Sequence, residues 1–309
     1  MVITVTLNPA MDQVLVLDQL RPNVTNRVRE QFYCVGGKGT HISINLSLLG
    51  IRSMAIGAVM GKTGDEIVKA LKSMNIDVQF LQLPEGNCRT NYVLVDNEGN
   101  CTLVAEKGKL MEADVIDRLV VHYSQRIREG DIVVISGDAS NQKHTGLQDT
   151  LINIAKEKGA KVCLDASEEH LAAGVKRGLF LIKPNLDELS FLMGRSLQSR
   201  EDIIDAIKEL ALSGNENIIV SCGAEGSYAY SGGRYFHVIA PKVEAQNTVG
   251  CGDALVAGLL AGFERSLSFE ENLKKASAVA AATAMNKATV GFDAGLVEQL
   301  AQQVIVEPL

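Results

Sequence analysis

The opening run "VITVTL" is apolar and β-branched without a break, the pattern of a strand buried on both faces. "DIVVIS", "AKVCLD", "LFLIKP" and "NIIVSC" repeat that pattern further along, alternating with helical segments such as "LQDTLINIAKEKG". Such alternation predicts an α/β fold with a mostly parallel central sheet and helices on both faces. "GGKGTHISINLSLLG" has a glycine-rich entry, a helical apolar period and a closing glycine. "SMAIGAV" reads as a strand and "GDEIVKALKSM" as a helix. Four segments break the rhythm. "DQVLVLDQL" and "TNRVREQF" read as short, partly exposed strands, and "RTNYVLV" and "CTLVAE" flank the turn "DNEGN" as a hairpin. They predict a small separate β-sheet, a candidate lid over roughly residues 11–33 and 88–107, on one domain spanning 1–309. The end of the chain reads as nearly all helix, including the small-residue stretch "ASAVAAATA".

Composition narrows the function. With 309 residues and 46% hydrophobic content, the chain can bury a large core. A net charge of −7 argues against a general nucleic-acid binder. It leaves room for an anionic small substrate, because a few local cations can reverse the field in a cleft. No apolar run is long enough to span a bilayer, and "MVITVTLNPAMD" lacks the basic and apolar regions of a signal peptide. No membrane partner is expected. The six cysteines form no C-x-x-C pair and no zinc-like spacing to a histidine, which predicts a reduced, cytoplasmic protein.

Two familiar motifs fail on spacing. "GAVMGKTG" resembles a phosphate loop, but the loop would need glycine at position 56, which is Ile56. It reads instead as a tight strand-to-helix connection near the site. No strand is followed by the G-x-G-x-x-G of a dinucleotide fold. "NTVGCGDALVAGLLAGF" is more informative. Gly250, Cys251 and Gly252 can turn backbone N–H groups toward an anion at the start of a helix. Asp253 at the same spot can orient a hydroxyl and accept its proton. The bland alternative is a tight turn with a first-turn acid. "VGGKGTHIS" is a second glycine-lined helix start, now with a cation, Lys38. In "IKPNLDEL", Lys183, Asn185 and Glu188 gather where a strand ends and a helix begins, the edge at which parallel sheets bind ligands. Asp187 and Glu188 can be simple first-turn acids, and Glu188 can also hold Mg²⁺ through waters. His122, His144 and His170 stand alone, and Cys163 and Cys222 end apolar runs as core thiols.

Taken together, these segments resemble the ribokinase-like (PfkB) carbohydrate kinase family along essentially the whole chain. "VGGKGTHISINLSLLG" is similar to its N-terminal signature and "NTVGCGDALVAGLLAGF" to its more specific C-terminal one. "TLNPAMD", "KPNLDEL" and "VSCGAEGSY" resemble the branch that contains 1-phosphofructokinase and tagatose-6-phosphate kinase. The resemblance implies ATP-dependent phosphorylation of a ketohexose monophosphate, first of all fructose 1-phosphate to fructose 1,6-bisphosphate, with tagatose 6-phosphate as the alternative. It implies that Asp253 is the base and that the N–H groups of Gly250, Cys251 and Gly252 form the anion hole. Asp12, Gly37, Lys38, His41, Arg89 and Asn91 would hold the sugar phosphate, with Ser136 and Gly137 close by. ATP would lie along Lys183, Asn185, Ser221, Gly223, Glu225 and Gly226, with Asn286 near the adenine. Asn185 and Glu188 would place Mg²⁺, and a monovalent cation is a further candidate. The lid would pair two subunits into a homodimer.

Four positions depart from the family pattern. His41 replaces a usual asparagine, Asp138 a usual serine and Cys251 an alanine, and "LVAEKGKL" lacks the branch's Asn-Glu-x-Gly-Pro. The first two and the last lie on the acceptor side. Cys251, between glycines at a helix start, is expected to be an unusually reactive thiol. It also defines a rival class, a thiol hydrolase, which needs a histidine partner and leaves the glycine-lysine cluster unexplained. A non-catalytic sugar-phosphate or nucleotide sensor is the other rival, and the retained Asp253 argues against it.

Overall fold

The computed structural model describes residues 1–137, 141, 146–166 and 168–309. Asp138 and His144 lie outside the described residues. Seven strands run parallel in the large sheet: β1 (Val2–Thr6), flanked on one side by the later strands Ser53–Met60 and Asp77–Leu83, and on the other by Ile132–Ser136, Lys161–Asp165, Leu181–Ile182 and Asn217–Ser221. The strands Ser227–Ser231, Arg234–Ile239 and Ile305–Pro308 extend it antiparallel. The last of these corrects the expectation of an all-helical end. Helix Ala294–Ala301 delivers the chain back to the sheet edge, where Val306 pairs with Val238.

Why the strands are mostly apolar follows from the layers. Ile3 and Val5 pack with Val133 and Ile135 against one face, under helices carrying Leu119, Leu151 and Ile207. Val2 and Val134 face the other side, where Ile42, Leu259 and Val279 cover them. Alternate residues of each strand therefore enter different cores, and the polar residues the strands do carry, such as Thr4 and Asp165, are buried. Helix Cys251–Glu264 is buried along most of its length. It packs closely on helix Phe269–Ala284, where a Cβ at Gly258 would stand 2.6 Å from the Ala276 backbone.

The small sheet has four strands in the order β3, β2, the later strand Arg89–Val95, and Cys101–Ala105, where β2 is Ala10–Val16 and β3 is Glu30–Gly36. The hairpin falls where the turn "DNEGN" puts it. Strand β3 begins at Glu30, so "TNRVR" is not strand. "GAVMGKTG" is a strand-to-helix junction, with the helix starting at Gly61. None of Gly61, Lys62 and Thr63 lines the cleft described below; Gly61 packs against Gly86 and Asn87, which lead into Arg89. Among the described residues no helix is long and apolar enough to cross a membrane, and all six cysteines are free thiols.

Candidate active site

A cleft of about 1110 Å³ opens at the carboxyl edge of the parallel sheet, between that edge and the inner face of the small sheet. Asp12, Arg89 and Asn91 reach it from the small sheet. Gly37, Lys38 and His41 come from the start of helix Lys38–Leu48, and Gly250, Cys251, Gly252 and Asp253 from the start of helix Cys251–Glu264. Lys183, Asn185, Glu188, Ser221, Gly223 and Gly226 line it from the ends of the later strands. Residues scattered over most of the chain thus meet in one cavity, as a parallel sheet's carboxyl edge allows.

At the floor lies a carboxylate that the sequence reading missed. Asp165 ends the strand Lys161–Asp165 and is 1% exposed. Its Oδ1 is 3.2 Å from Lys183 Nζ and 3.5 Å from Lys38 Nζ. Burial opposes its ionisation, and Lys183 and then Lys38 outweigh that, holding the carboxyl below its usual range. Asp165, ahead of Asp253 and Glu188, holds the Lys38 ammonium well above its usual range against burial. The Lys38 ammonium is therefore held charged beside the glycine turn, and Lys183 Nζ stands 3.4 Å from where a Cβ on Gly252 would be. The signal for Asp165 was its position at the end of an apolar strand run, the same signal that flagged Lys183.

The glycine turn is forced by the fold. Gly250 caps the helix at φ 85°, and a Cβ there would lie 1.8 Å from the Thr289 carbonyl oxygen. Only glycine fits. The first turn of the helix has no intrahelical partners for its N–H groups. The Cys251 N–H donates to the Thr248 carbonyl at 3.4 Å.

Above the turn is a second cluster. His41 Nδ1 is 2.7 Å from Asp253 Oδ2, and His41 Nε2 is 3.4 Å from Asp12 Oδ2. All three are buried, at 4%, 5% and 2% exposed. Asp12 also accepts hydrogen bonds from Asn91 Nδ2 at 2.8 Å and Thr289 Oγ1 at 2.7 Å. Burial alone would raise the Asp12 carboxyl; His41, then Thr289 and Asn91, bring it below the usual range. Burial alone would lower the His41 imidazole; hydrogen bonds and charge from Asp12 and Asp253 lift it to about 9. Gly36 makes room for this cluster, since a Cβ there would meet Asp12 Oδ1 at 1.9 Å. Thr289 carried no sequence signal, being a lone threonine after the last long helix.

Arg89 is buried at the base of the small sheet, its Nε donating to the Asn8 carbonyl and its Nη1 to the Glu106 carbonyl. Glu106 belongs to "LVAEKGKL", and Asn8 donates to the Lys107 carbonyl. The segment that departs from the branch pattern thus anchors Arg89. Asn185 and Glu188 form a capping box at helix Leu186–Met193, in which Glu188 Oε2 accepts from the Asn185 N–H at 2.9 Å. Both the first-turn reading and a place in the cleft hold for Glu188.

Several expectations need correction. Asn286 does not line the cleft; its side chain closes the turn after helix Phe269–Ala284, donating to the Gly291 carbonyl and accepting from the Ala288 N–H. The wall there is built by Ser277, Ala280, Ala281 and Ala284, small residues that leave an apolar shelf. Glu225 is exposed and also outside the lining. Ser136 and Gly137 lie behind it, Ser136 paired in register with Asp165 and Gly137 packed against Lys38. The Cys251 thiol is not activated. Burial, then the charge of Asp253, pushes it up to about 12, and these outweigh the helix start. The thiol-hydrolase reading loses its nucleophile. His122 is tied to the Gln79 carbonyl, away from the cleft.

Residues 5–292 match the pfkB family carbohydrate kinase model, and the chain belongs to that family. It is a carbohydrate kinase, an ATP-dependent phosphotransferase with a sugar hydroxyl as acceptor. It is 32% identical to a tagatose-6-phosphate kinase of Staphylococcus epidermidis over 99% of both chains. Among solved structures it resembles Escherichia coli phosphofructokinase-2 in complex with potassium, at TM-score 0.89 and 26% identity over 97% of this chain and 98% of the other. The tetrameric inhibited form of the same enzyme gives a TM-score of 0.87 at 26% identity, over the same shares.

Proposed function

We propose that this protein transfers the γ-phosphoryl group of ATP to a hydroxyl of a ketohexose monophosphate, fructose 1-phosphate first. The observation that carries this reading is Asp253, a carboxylate at a glycine-led helix start, in one cleft with Lys38, Lys183 and Arg89. Asp253 takes the acceptor hydroxyl's proton on Oδ1, while Oδ2 stays on His41. The transferring group passes through a loose transition state, so positioning and charge neutralisation carry most of the catalysis. The N–H groups of Gly252 and its neighbours, with Lys183, meet the charge that develops there. Asp12 and Asn91 hold sugar hydroxyls, and Arg89 grips the phosphate the sugar already carries. ATP lies along Asn185, Ser221, Gly223 and Gly226, its base on the shelf of Ala280, Ala281 and Ala284.

Mg²⁺ fits the donors present. Glu188 and Asn185 offer oxygen atoms in the cleft, and no cluster of three or more His, Cys, Asp or Glu among the described residues forms a direct cage. The ion would therefore rest mainly on waters and phosphate oxygens, as its hydration favours. When bound it neutralises phosphate charge. Potassium in the phosphofructokinase-2 relative makes a monovalent cation a second candidate.

The small sheet is proposed to close over the cleft as a lid, excluding water from the phosphoryl group. Its outer face carries a row across all four strands, Tyr33, Gln13, Tyr92 and Val104, with Tyr33 61% and Val104 54% exposed. A second copy of the chain covers this face in a homodimer, and the mass in solution tests it. Six free thiols accord with a cytoplasmic setting.

A second reading, tagatose 6-phosphate as acceptor, is favoured by the 32% identity over 99% of the chain. ADP release with ATP and a panel of fructose 1-phosphate, fructose 6-phosphate, tagatose 6-phosphate and the free ketohexoses separates the two. Highest kcat/KM on fructose 1-phosphate supports the first reading. Preference for tagatose 6-phosphate replaces it, and preference for a free sugar overturns the phosphate requirement.

A further inference from the structure

Resting on the reading of Asp253 as base, we propose that His41 is a positioning residue of the transfer. Its doubly protonated ring bonds Asp253 through Nδ1 and holds Asp12 by charge through Nε2, a buried nitrogen that makes no hydrogen bond of its own among the described residues and stands 3.4 Å from Asp12 Oδ2. One ring thereby sets the carboxylate that takes the acceptor's proton and the one that holds the acceptor.

The geometry is specific. Asp253 presents Oδ2 to His41 at 2.7 Å, and among the described residues no hydrogen bond engages its Oδ1. The clamp thus selects which oxygen faces the substrate. Asp12 accepts one hydrogen bond on each oxygen, from Asn91 in the small sheet and from Thr289 in the loop after helix Phe269–Ala284, so His41 meets a carboxylate whose orientation is already set. Two buried carboxylates this close to one ring repel each other unless the ring carries a positive charge. A neutral imidazole donates from only one nitrogen and turns a lone pair toward the other carboxylate. Either Asp253 would then lose its hydrogen bond or Asp12 would face a lone pair instead of a positive charge. Binding of the sugar at Asp12 and readiness of Asp253 are joined through a single side chain, and the link runs between the small sheet and the buried helix.

The groups around the ring all bear on its charge. Asp12 faces it from β2 and Asp253 from helix Cys251–Glu264, both favouring the imidazolium. Lys38, on the ring's own helix, interacts with Asp253. Cys34 from β3 bonds Thr289 at 3.2 Å and, like Cys251, is held as a neutral thiol by burial. The result is an imidazolium that loses its proton at about pH 9. During transfer His41 neither gains nor loses a proton; the acceptor's proton stays on Asp253 Oδ1 and leaves with solvent after product release.

The sign for stability follows. The folded value of about 9 is above the ordinary 6.5. The clamp's contribution is fully present below about pH 6.5 and is lost as pH rises through about 9.

The test compares wild type, His41→Asn and Asp253→Asn, using whichever panel sugar the wild type turns over fastest. Wild-type kcat should be level through neutrality and fall as pH rises through about 9. His41→Asn should lose roughly 10- to 100-fold in kcat near pH 7, the scale of misplacing a catalytic group. It should also lose the alkaline limb and keep the wild-type KM for ATP. A His41→Asn enzyme with wild-type kcat and an unchanged limb overturns the clamp, provided Asp253→Asn is inactive. An active Asp253→Asn enzyme overturns the base assignment itself. A second measurement needs no turnover: of the five imidazoles, one should titrate near pH 9 by NMR of the wild type. If all five titrate near or below 6.5, the imidazolium does not exist and the proposal fails.

Discussion

Two buried charge clusters face the same cleft and behave differently. At the sheet's carboxyl edge, Asp165 binds Lys183 and Lys38, and the carboxyl is lowered while the Lys38 ammonium is raised. Asp165 and Lys38 thereby hold their charges against changes of pH around neutrality. Between the small sheet and the buried helix, His41 binds Asp253 and Asp12, and its own proton leaves at about 9. The first is a fixed source of positive charge for phosphoryl oxygens. The second is an alignment device whose charge can change. The difference comes from one residue type, because an imidazole between two carboxylates gives up its proton at about 9, within reach of a pH series, where the Lys38 ammonium is held well above its usual range.

The largest expected effect breaks the second cluster at its catalytic end. Asp253→Asn should cost roughly 10²- to 10⁴-fold in kcat while ATP still saturates normally. Turnover close to wild type would refute the base role. Next, Asp165→Asn removes the anion between two lysines. Such a broken buried pair costs about 3–5 kcal/mol, which a urea midpoint would report. Unchanged stability would mean that the lysines find other partners. Arg89→Met should raise KM for the phosphorylated sugar by roughly 10- to 150-fold, the worth of a charge-assisted hydrogen bond. KM for ATP should stay. Equal losses on phosphorylated and free sugars would show that Arg89 only anchors the Asn8 and Glu106 carbonyls. The smallest effect concerns Cys251→Ala, which should stay active and shift stability by less than about 1 kcal/mol. In the wild type, Cys251 should alkylate slowly at pH 7, and fast labelling would contradict its neutral, buried thiol.

The chain's own periodicity was enough for the architecture. Runs such as "VITVTL" and "DIVVIS" are apolar because both faces of a parallel sheet are covered, and that is a property of each strand alone. The hairpin was legible because its turn is local. The glycines at 250 and 252, Asp253, Lys38 and Lys183 were legible because helix starts and strand ends carry their own residue preferences. What pairs with what was not. Asp165 and Thr289 gain their roles only when strands and loops far apart in the chain are brought together, and Asn286 loses its expected place because it is spent on a turn. Strand Ile305–Pro308 exists because the sheet has an edge to complete, not because four residues demand extension.

Charge states divide in the same way. Sequence position alone suggested a reactive Cys251, since a helix start favours a thiolate. Burial and the neighbouring Asp253 reverse that, and neither is visible in the turn's four residues. For His41 the sequence could mark only an unusual residue after Gly-Gly-Lys-Gly. Its meaning depends on Asp12, from β2, and Asp253, more than two hundred residues later, both brought within reach of one ring. Most backbone form is decided by neighbours in the chain, the edge strand Ile305–Pro308 excepted; the protonation of a buried group is decided by neighbours in space, and only the tertiary structure supplies those.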